Sequence, residues 1–209
     1  KEALRMYIYA SKNGGYNLDG NLYNGLWCHT TGHLVSQKLH GDLWKDGGQL
    51  CYSDPRSVDA VVESLISKYV DRAVGRYLMV GGEDSTGSCK CDDCKEAEKI
   101  YGGAGGVYSR FLNQVAERIE EHLKSKGITK KITIVGLFYY AYKEPPLLKD
   151  KDGKYVIENG KYVPVNQESI PRSIENQVSV GVMYTPIGAC YTHPLGDNAC
   201  ESNKPYTEY

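Results

Sequence analysis

At 209 residues and a net charge of -1, the chain is long enough for one sizeable core and lacks the basic excess of a nucleic-acid binder. No apolar run approaches the roughly 20 residues that cross a bilayer. The first residue is Lys1 rather than Met, which fits removal of an upstream segment.

Strand-like runs alternate with helix-like ones, the pattern of a parallel α/β sheet or barrel. Leu4–Ala10 reads as a first strand, and residues 11–50 read as a long loop rich in Gly, Asn and His. A loop of that length inside a compact domain is usually functional. The first helix has Asp54 as its cap and Pro55 in its first turn. Its apolar stripe is Val58, Val61, Val62, Leu65, Ile66, Tyr69 and Val70, and Gly75 ends it. Tyr77–Val80 is the second strand. A second helix is predicted over Val107–Ser125, with Phe111, Leu112, Val115, Ile119 and Leu123 on one face and Gly127 after it. The run Gly102–Gly106 before it lacks the Lys-Ser/Thr of a phosphate loop and reads as a flexible lead-in.

Lys131–Tyr139 is the third strand, mostly apolar as for a strand covered on both faces, and Val178–Tyr184 is the fourth. Between them, residues 150–166 hold Asn159-Gly160 between two β-prone arms, which predicts a hairpin inserted as surface decoration. Four strands and two crossover helices make about half of an eight-fold barrel, which takes ~250 residues. Residues 1–209 are therefore expected to be one part of an α/β, (β/α)8 TIM-barrel-like domain. The other staves and domains would lie elsewhere on the same polypeptide.

In such a barrel every strand ends on the same rim, where the chemistry sits. Four groups meet there: Trp27-Cys-His-Thr-Thr-Gly-His33 in the long loop, Gly82-Glu83-Asp84 after the second strand, Phe138–Tyr142 after the third, and Tyr184–Leu195 after the fourth. Glycoside cleavage needs a proton donor and a second group that stabilises the oxocarbenium-like transition state. Glu83 and Asp84 can supply these roles, or one of them can cap the following turn. Trp27, His29, His33, Tyr140 and His193 are candidates for holding sugar hydroxyls. The 18 Tyr against 2 Trp and 2 Phe suit wet, sugar-like ligands, though equally half-buried surfaces.

The 7 cysteines are many for a cytosolic enzyme and few for a small disulfide scaffold, which points to an extracytoplasmic location. The odd count leaves at least one thiol free, on a metal, or paired outside the chain. Cys89, Cys91 and Cys94 have the look of a zinc clip whose fourth ligand is another Cys or a His, or of a disulfide staple. Cys190 and Cys200 can complete that clip or pair with each other. A structural role fits better than a catalytic one, because catalytic zinc keeps an open position and His or carboxylate ligands. No cofactor is required for catalysis.

In order along the chain, His29–His33, Gln49-Leu-Cys-Tyr-Ser-Asp-Pro55, the acidic strand end with Cys89-Lys-Cys91-Asp-Asp-Cys94, Gly188–Leu195 and Cys200-Glu-Ser-Asn203 resemble a bacterial family catalogued as domain of unknown function 4838. The resemblance implies a TIM-barrel glycoside hydrolase, distantly similar to β-hexosaminidases and α-glucuronidases, with an N-terminal domain and earlier strands before this segment. It implies more for Asp84 than for Glu83, since members commonly carry Asn-Asp where this chain has Glu83-Asp84. Chemistry of that kind would use a substrate acetamido group as nucleophile, with Asp84 orienting it and Glu83 as acid. The expected function is hydrolysis of a complex glycan. The alternatives are a non-catalytic glycan-binding barrel with a structural cysteine or zinc clip, and a cytosolic zinc-dependent interaction domain.

Overall fold

A computed structural model describes residues 29–45, 48–72 and 76–204. The strand expected at Leu4–Ala10, Trp27 and the helix stop at Gly75 lie outside the described residues. The order of elements is α1 (Thr31–Leu34), a 3-10 turn (Gly41–Leu43), α2 (Pro55–Leu65), β1 (Tyr77–Met79), α3 (Asp92–Tyr101), α4 (Ala104–Ser125), β2 (Ile132–Phe138), β3 (Ile157–Glu158), β4 (Lys161–Tyr162) and β5 (Val178–Tyr184).

β1, β2 and β5 form a parallel sheet in that order, with Leu78 opposite Ile134 and Ile134 opposite Val180. Alternation along each strand sorts the side chains onto two faces. Leu78, Val80, Ile132, Ile134, Phe138, Val178 and Val180 join the main core. Tyr77, Met79, Val135 and Met183 cluster on the other face, where the Thr133 and Ser179 hydroxyls pair at 3.0 Å.

α4 covers the first face. Val107, Tyr108, Phe111, Leu112, Val115, Ile119 and Leu123 recur at helical spacing and are all buried. Each large side chain contributes ~1.5–3 kcal/mol by leaving water. The approach is close at Gly136 of β2: a Cβ there would stand 2.3 Å from Leu112 Cδ1. Gly127, at φ +65°, ends the helical run as expected.

α2 packs Val58, Val61, Val62 and Leu65 into the same core. Its predicted stripe continues past Leu65 as a wider π turn, Ile66–Val70, closed by Asp71 N–H donating to Ile66 O at 3.1 Å. The Gly102–Gly106 run is tighter than a flexible lead-in. Gly102 (φ +81°) closes α3, and Gly105 lies so near the Glu144 carbonyl that a Cβ would come within 2.3 Å of its oxygen. The hairpin forms around Asn159-Gly160, both at positive φ (51° and 74°), which matches the tight turn its sequence requires.

Candidate active site and cysteine cluster

β1 is followed by Val80, Gly81 and Gly82, and the segment His29–Gly32 docks alongside that end. The Thr30 hydroxyl donates to Met79 O at 3.0 Å and accepts from Gly81 N–H at 2.9 Å. The Thr30 and Thr31 amides both donate to Gly81 O, at 2.9 and 3.0 Å. With both threonines fully buried, the motif is a clamp on the strand end.

That clamp sets the positions of the two carboxylates. Glu83 Oε1 accepts from the Thr31 hydroxyl at 2.9 Å and from Gly32 N–H at 2.6 Å. Its peptide is gripped by the buried Gln49 amide: Nε2 donates to Glu83 O at 2.7 Å, and Glu83 N–H donates to Oε1 at 3.1 Å. Glu83 is therefore half-buried and held on three sides. Asp84 projects outward, its side chain 77% exposed. The Tyr139 hydroxyl lies 3.3 Å from Asp84 Oδ1 and 3.1 Å from Glu83 O. Burial pushes the Tyr139 phenol above its usual range and the charge of Asp84 adds to the rise, so it stays a donor at neutral pH. His29 Nδ1 pairs with Gly82 O at 2.7 Å, and its Nε2 stands 4.0 Å from Asp84 Oδ1.

The structure thus brings His29, Glu83 and Asp84 together at the C-terminal end of β1. It adds Gln49 and Tyr139, which are not among the candidates chosen from sequence. The Tyr140 ring lies tilted against Tyr139 at 4.7 Å, with its backbone at φ 45°, and has no hydrogen bond to either carboxylate. His33 is exposed on α1, where its carbonyl accepts from Lys68 at 3.0 Å. His193 belongs to another group, its Nδ1 3.3 Å from Cys190 Sγ and close to Cys200. Asn203 organises that loop, donating to the carbonyls of Cys190, His193 and Pro194 and accepting from Cys190 N–H.

Beyond Asp84 the β1–α3 loop leads to Cys89 and Cys91, and Cys94 follows in the first turn of α3. Cys51, two residues after Gln49, closes the group: its Sγ lies 3.7 Å from that of Cys91 and 3.6 Å from that of Cys94. The six cysteines among the described residues are free thiols. The hydrogen bond from Cys51 lowers the Cys94 pKa, and the same bond together with burial raises that of Cys51. One thiolate is stabilised by its neighbours, while a second beside it meets like charge.

The chain belongs to the DUF4838 family. The profile of this domain of unknown function matches residues 35–207. No curated protein and no solved structure matches the chain significantly. Asp84 is the more exposed of the two carboxylates and takes the Tyr139 hydroxyl at 3.3 Å, while Glu83 is engaged by Thr31 and Gly32.

Proposed function

We propose that the chain is part of a glycoside hydrolase acting on a complex glycan, with Asp84 as its working carboxylate. The observation that carries this reading is an exposed carboxylate at the C-terminal end of a parallel strand, with a phenol donor at 3.3 Å and an imidazole at 4.0 Å. Parallel α/β barrels place their reacting groups at that position. The three parallel strands are then staves of a larger barrel, and Thr133, Ser179 and Met79 face its interior.

In this scheme Asp84 orients the group that attacks the sugar, and Tyr139 fixes Asp84. Glu83 has Oε2 without a hydrogen bond among the described residues, and that oxygen would carry the proton given to the leaving group. The bonds Glu83 makes to Thr31 and Gly32 also favour a second reading, a glycan-binding barrel, because they give one of the two carboxylates a structural task.

A screen of glycans and aryl glycosides, run on the full-length protein beside Asp84→Asn, separates the two. A hydrolase loses turnover by orders of magnitude in the variant while still binding glycan. Glycan binding with no turnover in either protein would leave the binding module standing and defeat the hydrolase.

A further inference from the structure

We propose that Cys51, Cys89, Cys91 and Cys94 bind one Zn2+ as a closed four-thiolate site that fixes the loop carrying Glu83 and Asp84. The four sulfurs all lie within 4.8 Å of one another. Zn–S bonds of about 2.3 Å at tetrahedral angles hold sulfurs about 3.8 Å apart, whereas a disulfide brings them to ~2.05 Å. The 3.6 and 3.7 Å separations from Cys51 to Cys94 and Cys91 are those of ligands sharing one ion.

The surroundings fit a structural metal. Cys51, Cys89 and Cys94 are 0%, 3% and 4% exposed and Cys91 is half-buried, so three of the four sulfurs are shielded from water. Four sulfur ligands leave no open position for a substrate or a reactive water, and soft thiolates in a tetrahedron select zinc over the hard cations. Without an ion, four converging thiols gain little: hydrogen bonds to sulfur are weak.

The ligands come from two segments that a metal would join. Cys51 lies between Gln49, which holds the Glu83 peptide at 2.7 and 3.1 Å, and Tyr52, whose ring stacks on Tyr108 at 4.8 Å. Cys89, Cys91 and Cys94 belong to the stretch that begins at Glu83 and ends in α3. Zinc therefore closes a ring: Gln49 to Glu83 by hydrogen bonds, Glu83 to Cys89 along the chain, Cys89 to Cys51 through the metal, and Cys51 back to Gln49. Stiffening that ring fixes the acidic strand end whether the site cleaves or only binds a glycan. The inference thus survives a failure of the hydrolase reading.

The test uses the full chain, prepared with zinc under reducing conditions. Elemental analysis is expected to show that Cys51→Ser and Cys94→Ser each lose one equivalent of zinc relative to the parent, while Cys200→Ser does not. Replacing zinc by Co2+ in the unmodified protein should give the intense charge-transfer and ligand-field absorption of a tetrahedral thiolate site. That readout stays informative even if the variants fold poorly. Stripping the metal should speed hydrogen exchange at the Glu83 and Asp84 amides at least tenfold, with exchange in β2 changing less. Zinc content unchanged in Cys51→Ser, iron in place of zinc, a disulfide among the four cysteines of the native protein, or exchange at residues 83–84 indifferent to metal would each overturn the proposal.

Discussion

Tyr139 is the side chain through which the third strand-like run reaches the acidic centre, and its hydroxyl serves Asp84 while its ring lies tilted at 5.7 Å from His29. Removing that hydroxyl deletes a donor to the exposed Asp84 carboxylate and one to Glu83 O, which keeps its bond from Gln49 Nε2, so no buried group is stranded. In the proposed hydrolase Tyr139→Phe is therefore expected to lower kcat by about tenfold, the range of one positioned hydrogen bond, and to leave Tm within a degree or two. Turnover kinetics beside a thermal melt check this; an unchanged kcat would put Tyr139 outside the site. At this scale the sequence was only partly readable. Glu83-Asp84 stands out because charge abruptly follows an apolar run, and His29 because it shares a short motif with His33 and Trp27. Sequence does not single out Tyr139: it reads as the last residue of a strand over Lys131–Tyr139, whereas the strand ends at Phe138 and the backbone turns at Tyr140, φ 45°. Cys51 was hidden for another reason: it stands 40 positions before Cys91, and spacing identifies ligands only when they are close in sequence.

The helices differ in what makes them form, and that difference decides which of them a sequence reveals. α2 and α4 carry apolar stripes that the core buries, and both are visible as periodicity. α3 buries only Cys94. Ala97 and Tyr101 pack part-buried against the core, and Asp92 and Asp93 at the positive end of its dipole, the Lys95–Asp92 and Lys99–Glu96 pairs at 3.1 and 2.8 Å, and its glycine stop add to that. Its apolar stripe, Cys94, Ala97 and Tyr101, is too short to stand out as periodicity. α2 also shows what one cap contributes. Asp54 Oδ1 accepts from Arg56 N–H at 3.1 Å, and the Arg56 guanidinium bonds the same carboxylate at 3.0 and 2.7 Å. The guanidinium hydrogen bonds lower the Asp54 pKa from 3.8 to about 2. A carboxyl with a lowered folded pKa stabilises fully above its unfolded value and loses that contribution as pH falls towards the folded one. Asp54 therefore stabilises α2 above about pH 4, less at pH 3, and little at pH 2. Because Arg56 is exposed and screened, cap and pair together are worth about 1–2 kcal/mol. Asp54→Ala should lower stability by that amount at pH 7, with the gap to the parent closing between pH 4 and pH 2 in urea titrations. A gap that stays constant across that range would remove the ionised cap from the account.

Across the whole molecule, polar groups divide between the two ends of the sheet. β1, β2 and β5 are parallel, so all three begin at one end. There the buried Glu120 of α4 accepts from Arg172 Nη2 at 2.8 Å and from Val178 N–H at 3.2 Å, while Gln177 Nε2 donates to Ile128 O at 2.6 Å. These bonds tie the end of α4 to the starts of β2 and β5. His29, Asp84 and Tyr139 occupy the opposite end. Sequence anticipated the three strands, because continuous apolar runs are what a sheet covered on both faces requires. It gave no sign of the network at the other end, whose members are single polar residues scattered over distant elements. The division makes two substitutions mirror images. Glu120→Gln removes the charge facing a guanidinium that is largely shielded from water, and it should cost about 2–3 kcal/mol with kcat unchanged. Asp84→Asn touches an exposed side chain, so it should leave the urea midpoint where it was; with Asp84 as the working carboxylate of the proposed hydrolase, it should also abolish turnover. Unfolding curves and kinetics on both variants decide the matter. A Glu120→Gln protein as stable as the parent, or an Asp84→Asn protein that unfolds earlier, would show that stability and chemistry are not separated along the strands.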